Sequence, residues 1–155
     1  MNIFFPKEPE IEKRVSLTLE TAQKFLKLGL KIFIEKSFSE HIGTSDEDFA
    51  AIGVKIVSRD EGFLDANLIC SVRNLQEEEI DKIKPGTLLI SFLDPFNEKV
   101  LVKKIKEKNI SAISMELVPR LTRAQKMDAL SSQANLAGYS SVIIASQELQ
   151  KALPM

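Results

Sequence analysis

Six short apolar runs, separated by stretches with helical periodicity, set the strongest limit on what this chain can fold into. Most of the runs are continuous and not alternating, which is typical of strands covered on both faces. Helical crossovers make the strands they connect parallel, so this order predicts an open, mostly parallel α/β sheet of Rossmann-like or flavodoxin-like type with helices on both faces. The runs are Asn2–Phe5, Leu30–Glu35, Val54–Val57, Asn67–Val72, Thr87–Leu93 and Ile110–Leu117.

Local capping signals mark several helix ends. Thr18 is placed to cap a helix over the residues that follow it, and Gly29 is placed to end that helix in a left-handed conformation. Ser45, followed three residues later by an aspartate, predicts a second helix start. Asn74 is the predicted cap of a further helix that Pro85-Gly86 ends, with acids in its first turn and lysines in its last.

Length and charge balance limit the class of protein. At 155 residues the chain fits one domain, and we expect residues 1–155 to form a single α/β lobe. Hydrophobic residues make up 44% and charged residues 28%, and the net charge is −1 with both signs mixed, so no nucleic-acid partner is expected. Cys70 is the only cysteine, which fits a reducing compartment. No apolar run approaches the roughly 20 residues of a membrane span, and no signal peptide is recognised, so we expect a cytoplasmic chain that does not insert into a membrane.

The chain has no glycine-rich phosphate-binding motif. The first strand is followed by PKEPEIEKRVSLT, and neither G-x-G-x-x-G nor G-x-x-x-x-G-K-[ST] occurs anywhere. Another part would therefore have to hold the phosphates of a dinucleotide. His41, the only histidine, is interpreted as a solvated loop residue, Cys70 as a core residue and Glu77–Glu79 as a solvated helix face. A metal site and a histidine-based catalytic site are not expected.

Residues 118–139, VPRLTRAQKMDALSSQANLAGY, combine helical periodicity with many short polar side chains. On a helical wheel for residues 123–137, Gln125, Asp128 and Ser132 fall close together on one face. Short polar side chains lose little entropy on binding, so this face is suited to bind an amide or a hydroxyl. The opposite face is a narrow stripe that we expect to be buried, formed by Met127, Leu130, Ala134 and Ala137.

Arg120 follows the sixth predicted strand, so it is expected at the carboxyl edge of the sheet, where ligands of open α/β folds bind. Two interpretations fit its spacing. In one, Arg120 pairs with Asp128 as a structural clasp. In the other, Arg120, Gln125 and Asp128 form a polar cup for a planar, amide-bearing ligand. Gln and Asp together offer hydrogen-bond donors and acceptors, and Arg can brace them or bind a phosphate.

The same segment resembles a known family. PRLTRAQKMDALSSQANLAGY is similar to a loop and helix of the NAD(H)-binding component, the alpha subunit in bacteria, of proton-translocating NAD(P) transhydrogenases. PKE after the first strand, EKRVSLT and KPGTLLISFLDP extend the resemblance along the chain and are shared with alanine dehydrogenases. The resemblance implies the first of two Rossmann-like lobes. The second lobe, absent from this chain, would carry the glycine motif, and a later segment would return to complete the first.

The resemblance also implies roles for individual residues. Arg120, Gln125 and Asp128 correspond to residues that contact the nicotinamide, and Ser131 corresponds to one near the same ring. We add Ser132, from the polar face of the wheel, to the expected cofactor-binding residues. None of them is expected to act as an acid or a base, because direct hydride transfer depends on orientation.

For the whole protein, the resemblance implies direct hydride transfer between NADH and NADP+, coupled to proton translocation. NAD(H) is the expected cofactor, with NADP(H) on a partner domain. The expected partners are the second NAD-binding lobe, the NADP-binding and membrane subunit, and a second copy in a homodimer. The chain would thus be cytoplasmic and peripheral to the inner membrane, and it is expected to be inactive by itself.

Two alternatives accompany this interpretation. An alanine-dehydrogenase-like lobe would use an Arg, a Lys and a His on the amino acid. Arg14 matches the first of these, whereas Arg73 stands in place of the Lys and Asp94 in place of the His, so the usual proton carrier is missing. The second alternative is a non-catalytic module whose polar helix face binds a partner chain.

Overall fold

Six strands form one sheet in the first of the two units into which the chain divides, Met1–Ser114. The computed structural model describes residues 1–149. The strand order is β3-β2-β1-β4-β5-β6, and every pair of neighbouring strands is parallel. This is the Rossmann order, so the predicted fold class is confirmed and the flavodoxin-like order is not the one adopted. The strands are β1 Asn2–Phe5, β2 Lys31–Glu35, β3 Lys55–Val57, β4 Leu68–Arg73, β5 Leu88–Phe92 and β6 Ser111–Ser114.

Five α-helices connect the strands of this unit. Thr18 caps the first through a hydrogen bond from the Thr21 N–H, and Gly29 beyond it has φ +77°, both as predicted. Ser45 and Asp48 form a reciprocal capping box on the second, also as predicted. The helices are α1 Leu19–Lys27, α2 Asp46–Ala51, α3 Arg59–Asp65, α4 Glu77–Ile80 and α5 Lys99–Glu107, with a 3₁₀ turn at Glu40–Ile42.

Two helices differ from the sequence-based prediction. Asn74 does not cap α4, because the helix starts after Gln76, whose N–H donates to the Glu79 carboxylate at 2.7 Å, and the helix is only four residues long. Helix α3 was not predicted at all. Its signal was present in the sequence, since Ser58 is followed three residues later by Glu61 and the two make a capping box.

The core lies on both faces of the sheet. On one face Phe4 of β1 packs with buried residues of β4, β5, α3 and α5, including Ile69 and Leu89. On the other face Ile3 and Phe5 pack with buried residues of β2, α1 and α2. The near-continuous apolar strands therefore have the two covered faces that their composition indicated.

Arg59, at the start of α3, contacts three other chain segments near the carboxyl ends of β1 and β2. Its guanidinium lies 2.6 Å from a carboxylate oxygen of Glu35 in β2 and 2.6 Å from one of Glu79 in α4. It also donates to the carbonyl oxygen of Lys7, which follows β1, and lies over the ring of Phe63. One side chain thus holds three chain segments at the edge of the sheet.

The segment between β1 and α1 is anchored by two buried glutamates. The Glu8 carboxylate accepts hydrogen bonds from the main-chain N–H groups of Val72, at 2.5 Å, and Arg73, at 3.1 Å. The Glu12 carboxylate accepts two hydrogen bonds at 2.8 Å from the Arg14 guanidinium. Burial raises the pKa of Glu8, whereas hydrogen bonding from Arg14 lowers the pKa of Glu12 to about 2.

The second unit begins at Met115. Residues 115–117, predicted as the end of the sixth strand, instead form the 3₁₀ turn Met115–Leu117, so the strand ends at Ser114. A longer 3₁₀ helix, Thr122–Met127, is followed by α6, Ala129–Leu149. No helix within residues 1–149 has the length and apolarity needed to cross a bilayer.

Candidate functional site

The segment around Gln125 is a 3₁₀ helix and not part of one long α-helix. Thr122–Met127 has three residues per turn, and α6 begins only at Ala129. The helical wheel drawn for residues 123–137 therefore assumed the wrong period. The predicted buried stripe is also wrong, since Met127 and Leu130 are exposed and α6 has no buried residue within its described length.

A three-residue repeat sorts the side chains of this helix into three rows. Thr122 and Gln125 share one row, and Asp128 continues it one turn further on. Ala124 belongs to a second row and is buried. The third row contains Arg123 and Lys126, both exposed. The first row lines a cavity. The three-residue repeat therefore explains why Thr122, Gln125 and Asp128 come together.

Asp128 is the residue that stops the 3₁₀ helix and starts α6. Its carboxylate accepts a hydrogen bond from the Ser131 N–H at 3.1 Å and another from the Ser131 hydroxyl at 2.5 Å. The Asp128 carbonyl oxygen accepts from the Ser132 N–H and hydroxyl. Asp128 therefore occupies the N-cap position of α6, which explains why a charged side chain is buried there.

The charge of Asp128 is fixed by these contacts. The Ser131 hydroxyl and N–H, with a smaller contribution from the positive charge of Arg120, lower the pKa of Asp128. The carboxylate is consequently ionised at neutral pH and is not a proton donor. No ion pair joins Arg120 to Asp128 among residues 1–149. The structural clasp considered from the sequence is therefore not formed, and the Arg120 guanidinium does not contact the carboxylate directly.

The cavity beside this row has a volume of about 300 Å³, at the lower limit of small-molecule sites. It brings together four of the five predicted residues. Ser132 is not among the lining residues, because its hydroxyl is bound back to the main chain. Sequence reasoning missed Leu121 and Thr122, and the three-residue spacing to Gln125 would have identified Thr122. The lining residues are Arg120, Leu121, Thr122, Gln125, Asp128 and Ser131.

The side chains that line the cavity divide hydrogen-bond donors and acceptors among them. Arg120 offers only donors, and Gln125 offers an amide oxygen and an NH₂ group. Asp128 offers only acceptors, and the Ser131 hydroxyl, whose proton is given to Asp128, keeps lone pairs that can accept. A planar carboxamide has an oxygen that accepts and an NH₂ that donates, so it fits this division.

A β-bulge in β4, within the first unit, positions a second group of polar side chains. Cys70 pairs with Ile90 and Arg73 pairs with Phe92, so three residue steps along β4 are matched by only two along β5. The extra residue turns Arg73 toward the face of the sheet that carries Phe92. The guanidinium of Arg14 lies over that same ring, 5.7 Å from its centre.

These side chains surround a cavity of about 320 Å³. Arg14, Arg73 and Asp94, the three positions compared with alanine dehydrogenase, are brought together there, and Glu12 bridges the two arginines. Asp94 has φ +46°, a rare conformation for a residue other than glycine. The lining residues are Arg14, Val72, Arg73, Asn74, Phe92, Asp94 and Glu98.

The residues interpreted as structural in the sequence match their expected environments only in part. His41 is exposed, and its Nε2 lies 3.2 Å from the Lys13 carbonyl oxygen. Cys70 is partly buried, and burial raises the pKa of its thiol to about 12. Of the acids Glu77–Glu79, Glu79 is bound by Arg59 and so is not wholly solvated as expected.

Comparison with known proteins matches residues 4–137 to the family described as alanine dehydrogenase/PNT, N-terminal domain. NAD(P) transhydrogenase subunit alpha of Cereibacter sphaeroides is 40% identical over 147 residues, covering 94% of this chain and 28% of that protein. NAD(P) transhydrogenase subunit alpha of Haemophilus influenzae is 38% identical over 139 residues, covering 90% of this chain and 27% of that protein.

Among solved structures, transhydrogenase from Sinorhizobium meliloti is similar, with a TM-score of 0.89 and 33% identity, covering 100% of this chain and 47% of that one. The chain therefore spans less than half the length of these relatives.

Proposed function

The chain belongs to the alanine dehydrogenase/PNT N-terminal domain family, and from that premise we propose that it is part of the NAD(H)-binding component of an NAD(P) transhydrogenase. In this role it positions the nicotinamide for direct hydride transfer between NADH and NADP+. The observation that carries the proposal is the cavity in which Arg120, Gln125, Asp128 and Ser131 meet.

The chemistry of the cavity supports a nicotinamide carboxamide as the ligand. The carboxamide oxygen accepts from Arg120 or from the Gln125 NH₂, and the carboxamide NH₂ donates to Asp128 or the Ser131 oxygen. These contacts fix the rotation of the amide and, with it, the face of the ring that is presented. Hydride transfer needs the reacting carbons at about 3–3.5 Å, so orientation is the contribution expected of this site.

The remainder of the enzyme would lie in other lobes and subunits. A second lobe with the glycine motif would hold the pyrophosphate of NAD(H), because no such motif occurs in residues 1–155. NADP(H) would be bound by a partner domain, and proton translocation would occur in a membrane subunit. The chain would act as one half of a homodimer, cytoplasmic and held at the inner membrane by its partners. By itself it is expected to be inactive.

Replacing Gln125 in the complete protein tests this function. We expect Gln125→Ala to lower the rate of hydride transfer from NADH to NADP+ by about ten- to a hundred-fold, since misplacing reacting groups by about 1 Å has an effect of that size. Gln23→Ala on α1, an exposed glutamine of the other unit, is the matched control and should leave the rate unchanged. Equal rates for the two variants would remove the proposed role of Gln125.

A second candidate is favoured by the cavity at Arg14, Arg73 and Asp94. An alanine-dehydrogenase-like lobe would hold the amino-acid carboxylate on the arginines, with Asp94 where a histidine carries the proton. NAD-dependent oxidation of alanine by the complete protein, abolished by Arg14→Gln, would support it. Absence of that activity in a protein that transfers hydride between nucleotides would exclude it.

The third possibility is a non-catalytic module. Titration calorimetry with NADH on this chain, alone and mixed with the second lobe, distinguishes it from the first. Binding restored by the second lobe supports the transhydrogenase component. Failure of rescue, together with specific binding of another protein to the 118–139 segment, supports the module.

A further inference from the structure

The outer row of the 3₁₀ helix is a line of positive charge. Arg123 and Lys126 are three residues apart, so in a helix with three residues per turn their side chains lie one above the other, about 6 Å apart along the axis. Arg120 lies outside the helix, three residues before Arg123 in the sequence, and lines the cavity. We call Arg120, Arg123 and Lys126 the basic row.

Two of the three charges of this row, those of Arg123 and Lys126, have no ion-pair partner in the described part of the chain. Both side chains are exposed. Between Val118 and Met127 the chain carries these three cations and no carboxylate. The following helix, α6, has no charged residue before Glu148. Arg123 and Lys126 therefore present unpaired positive charge on one short helix, next to the residues that line the cavity.

We propose that the basic row binds a phosphate group of the same dinucleotide whose nicotinamide enters the cavity. This inference rests on the proposed function, because it takes the ligand of the cavity to be a nicotinamide nucleotide. It gives the chain a phosphate contact of its own, additional to any that a glycine motif elsewhere supplies.

The chemistry of the row fits a pyrophosphate. An arginine guanidinium binds two phosphate oxygens with paired, charge-assisted hydrogen bonds, and a lysine adds a point charge. Since the cavity row and the basic row are adjacent faces of one helix, a ligand with a flat amide head and an anionic linker can meet both. The main-chain N–H groups of a glycine motif are not needed for such contacts, which explains how they can occur in a chain without one.

Nucleotide binding to the complete protein, measured by calorimetry, tests the inference with two ligands. NADH carries both the nicotinamide and the pyrophosphate, whereas ADP-ribose carries the pyrophosphate without the nicotinamide. We expect Lys126→Gln and Arg123→Gln each to weaken the binding of both ligands by about two- to five-fold, the range of exposed ion pairs. The effect should shrink in 0.5 M salt, about three times the physiological ionic strength, because exposed charges are screened.

Two further variants complete the design. Lys126→Arg keeps the charge and should restore binding, and Lys106→Gln, an exposed lysine of α5, should bind as the parent protein does. Gln125→Ala should weaken NADH and leave ADP-ribose unaffected.

The outcomes separate the two proposals. If Gln125→Ala weakens NADH while the two row variants bind both ligands normally, the basic row is refuted and the proposed function stands. If Gln125→Ala binds NADH normally, the nicotinamide assignment fails whatever the row variants do. If the row variants weaken assembly with another subunit and leave nucleotide binding intact, the row is a protein-binding surface and the inference is overturned.

Discussion

Gly62 of α3 lies directly against the ring of Phe4 in β1, so closely that a Cβ on Gly62 would stand less than 3.0 Å from the ring carbons. Phe4 has no exposed surface and packs edge-to-face with Phe63, at 5.5 Å between ring centres, so it cannot move aside. We therefore expect Gly62→Ala to lower the free energy of unfolding by about 1–3 kcal/mol, measured by urea denaturation.

Gly138 provides the matched control. It lies within α6, where an added Cβ meets nothing within 4 Å. Alanine is a better helix former than glycine by about 0.5–1 kcal/mol, so Gly138→Ala should be neutral or stabilising. Equal destabilisation by both variants would contradict the close approach of Gly62 and Phe4.

Loss of the Arg59 guanidinium should destabilise the fold near the carboxyl ends of β1 and β2. Arg59→Gln leaves the half-buried carboxylates of Glu35 and Glu79 without their cation, at a cost of about 1.5–3 kcal/mol in the free energy of unfolding. Lys24→Gln breaks the exposed ion pair with Glu20 and should leave the free energy of unfolding nearly unchanged. Urea denaturation of both variants at pH 7 checks the difference, and similar losses would argue against a linking role of Arg59.

The Glu12 carboxylate should make the free energy of unfolding depend on pH in the acidic range. Its pKa is about 2 in the folded chain and 4.5 when unperturbed, so the unfolded chain binds the proton more tightly. The stabilisation is then fully present above about pH 4.5 and is lost as the pH falls toward 2. Urea midpoints between these pH values should fall for the parent protein and fall less for Glu12→Gln.

Glu8 should show the opposite sign. Burial raises its folded pKa above the ordinary value, so its contribution is largest in acid and is lost as the pH rises through that folded pKa. In the parent protein, Glu8 lowers the free energy of unfolding as the pH rises toward neutral, and Glu8→Gln should remove that decrease. Glu12 lowers it as the pH falls, and Glu12→Gln should remove that decrease instead. If the free energy of unfolding depends on pH in the same way in both variants, the opposite effects assigned to Glu8 and Glu12 are wrong.

Cys70 should be unreactive in the folded chain. With the pKa of the thiol raised to about 12 by burial, very little thiolate is present at pH 8. We expect alkylation by iodoacetamide to be at least about a hundred-fold slower in the native protein than in urea. Comparable rates in the two states would identify Cys70 as accessible and reactive.

Asp128 can be tested separately as a cap and as a charge. Asp128→Ala removes the acceptor of the Ser131 N–H and should lower the unfolding midpoint, whereas asparagine caps nearly as well. Asp128→Asn should therefore keep the unfolding midpoint while weakening NADH binding in the complete protein. If asparagine preserves both, the charge of Asp128 plays no part in binding.

The fold was predictable because its signals are redundant. Continuous apolar strands such as β2 and β5, together with caps at Thr18 and Ser45, all point to the same parallel sheet, and the structure has it. Helix α3 has only seven residues and shows no clear periodic pattern, so its one sequence signal was the Ser58 and Glu61 pair, which was overlooked although the same kind of pair identified α2. The choice between Rossmann and flavodoxin strand order depends on contacts between distant strands, which local patterns do not encode.

Four of the predicted site residues lie together, but the local geometry that brings them together was not predicted. Arg120, Gln125, Asp128 and Ser131 do line one cavity, yet the α-helical period assumed for residues 123–137 applies only after Asp128. A 3₁₀ helix and an α-helix both bring residues three apart onto neighbouring positions, so the sequence did not distinguish them. The role of Asp128 as a cap, and the binding of the Ser132 hydroxyl to the main chain, follow from that one break in the helix.

The short Thr122–Met127 helix also has a consequence for how this region can change over time. Inserting or deleting a single residue between Thr122 and Gln125 would rotate every following side chain by a third of a turn and move Gln125 off the cavity, and a deletion would put Lys126 in its place. A point substitution would leave the others where they are. Related sequences should therefore vary in residue type along this stretch more readily than in its length.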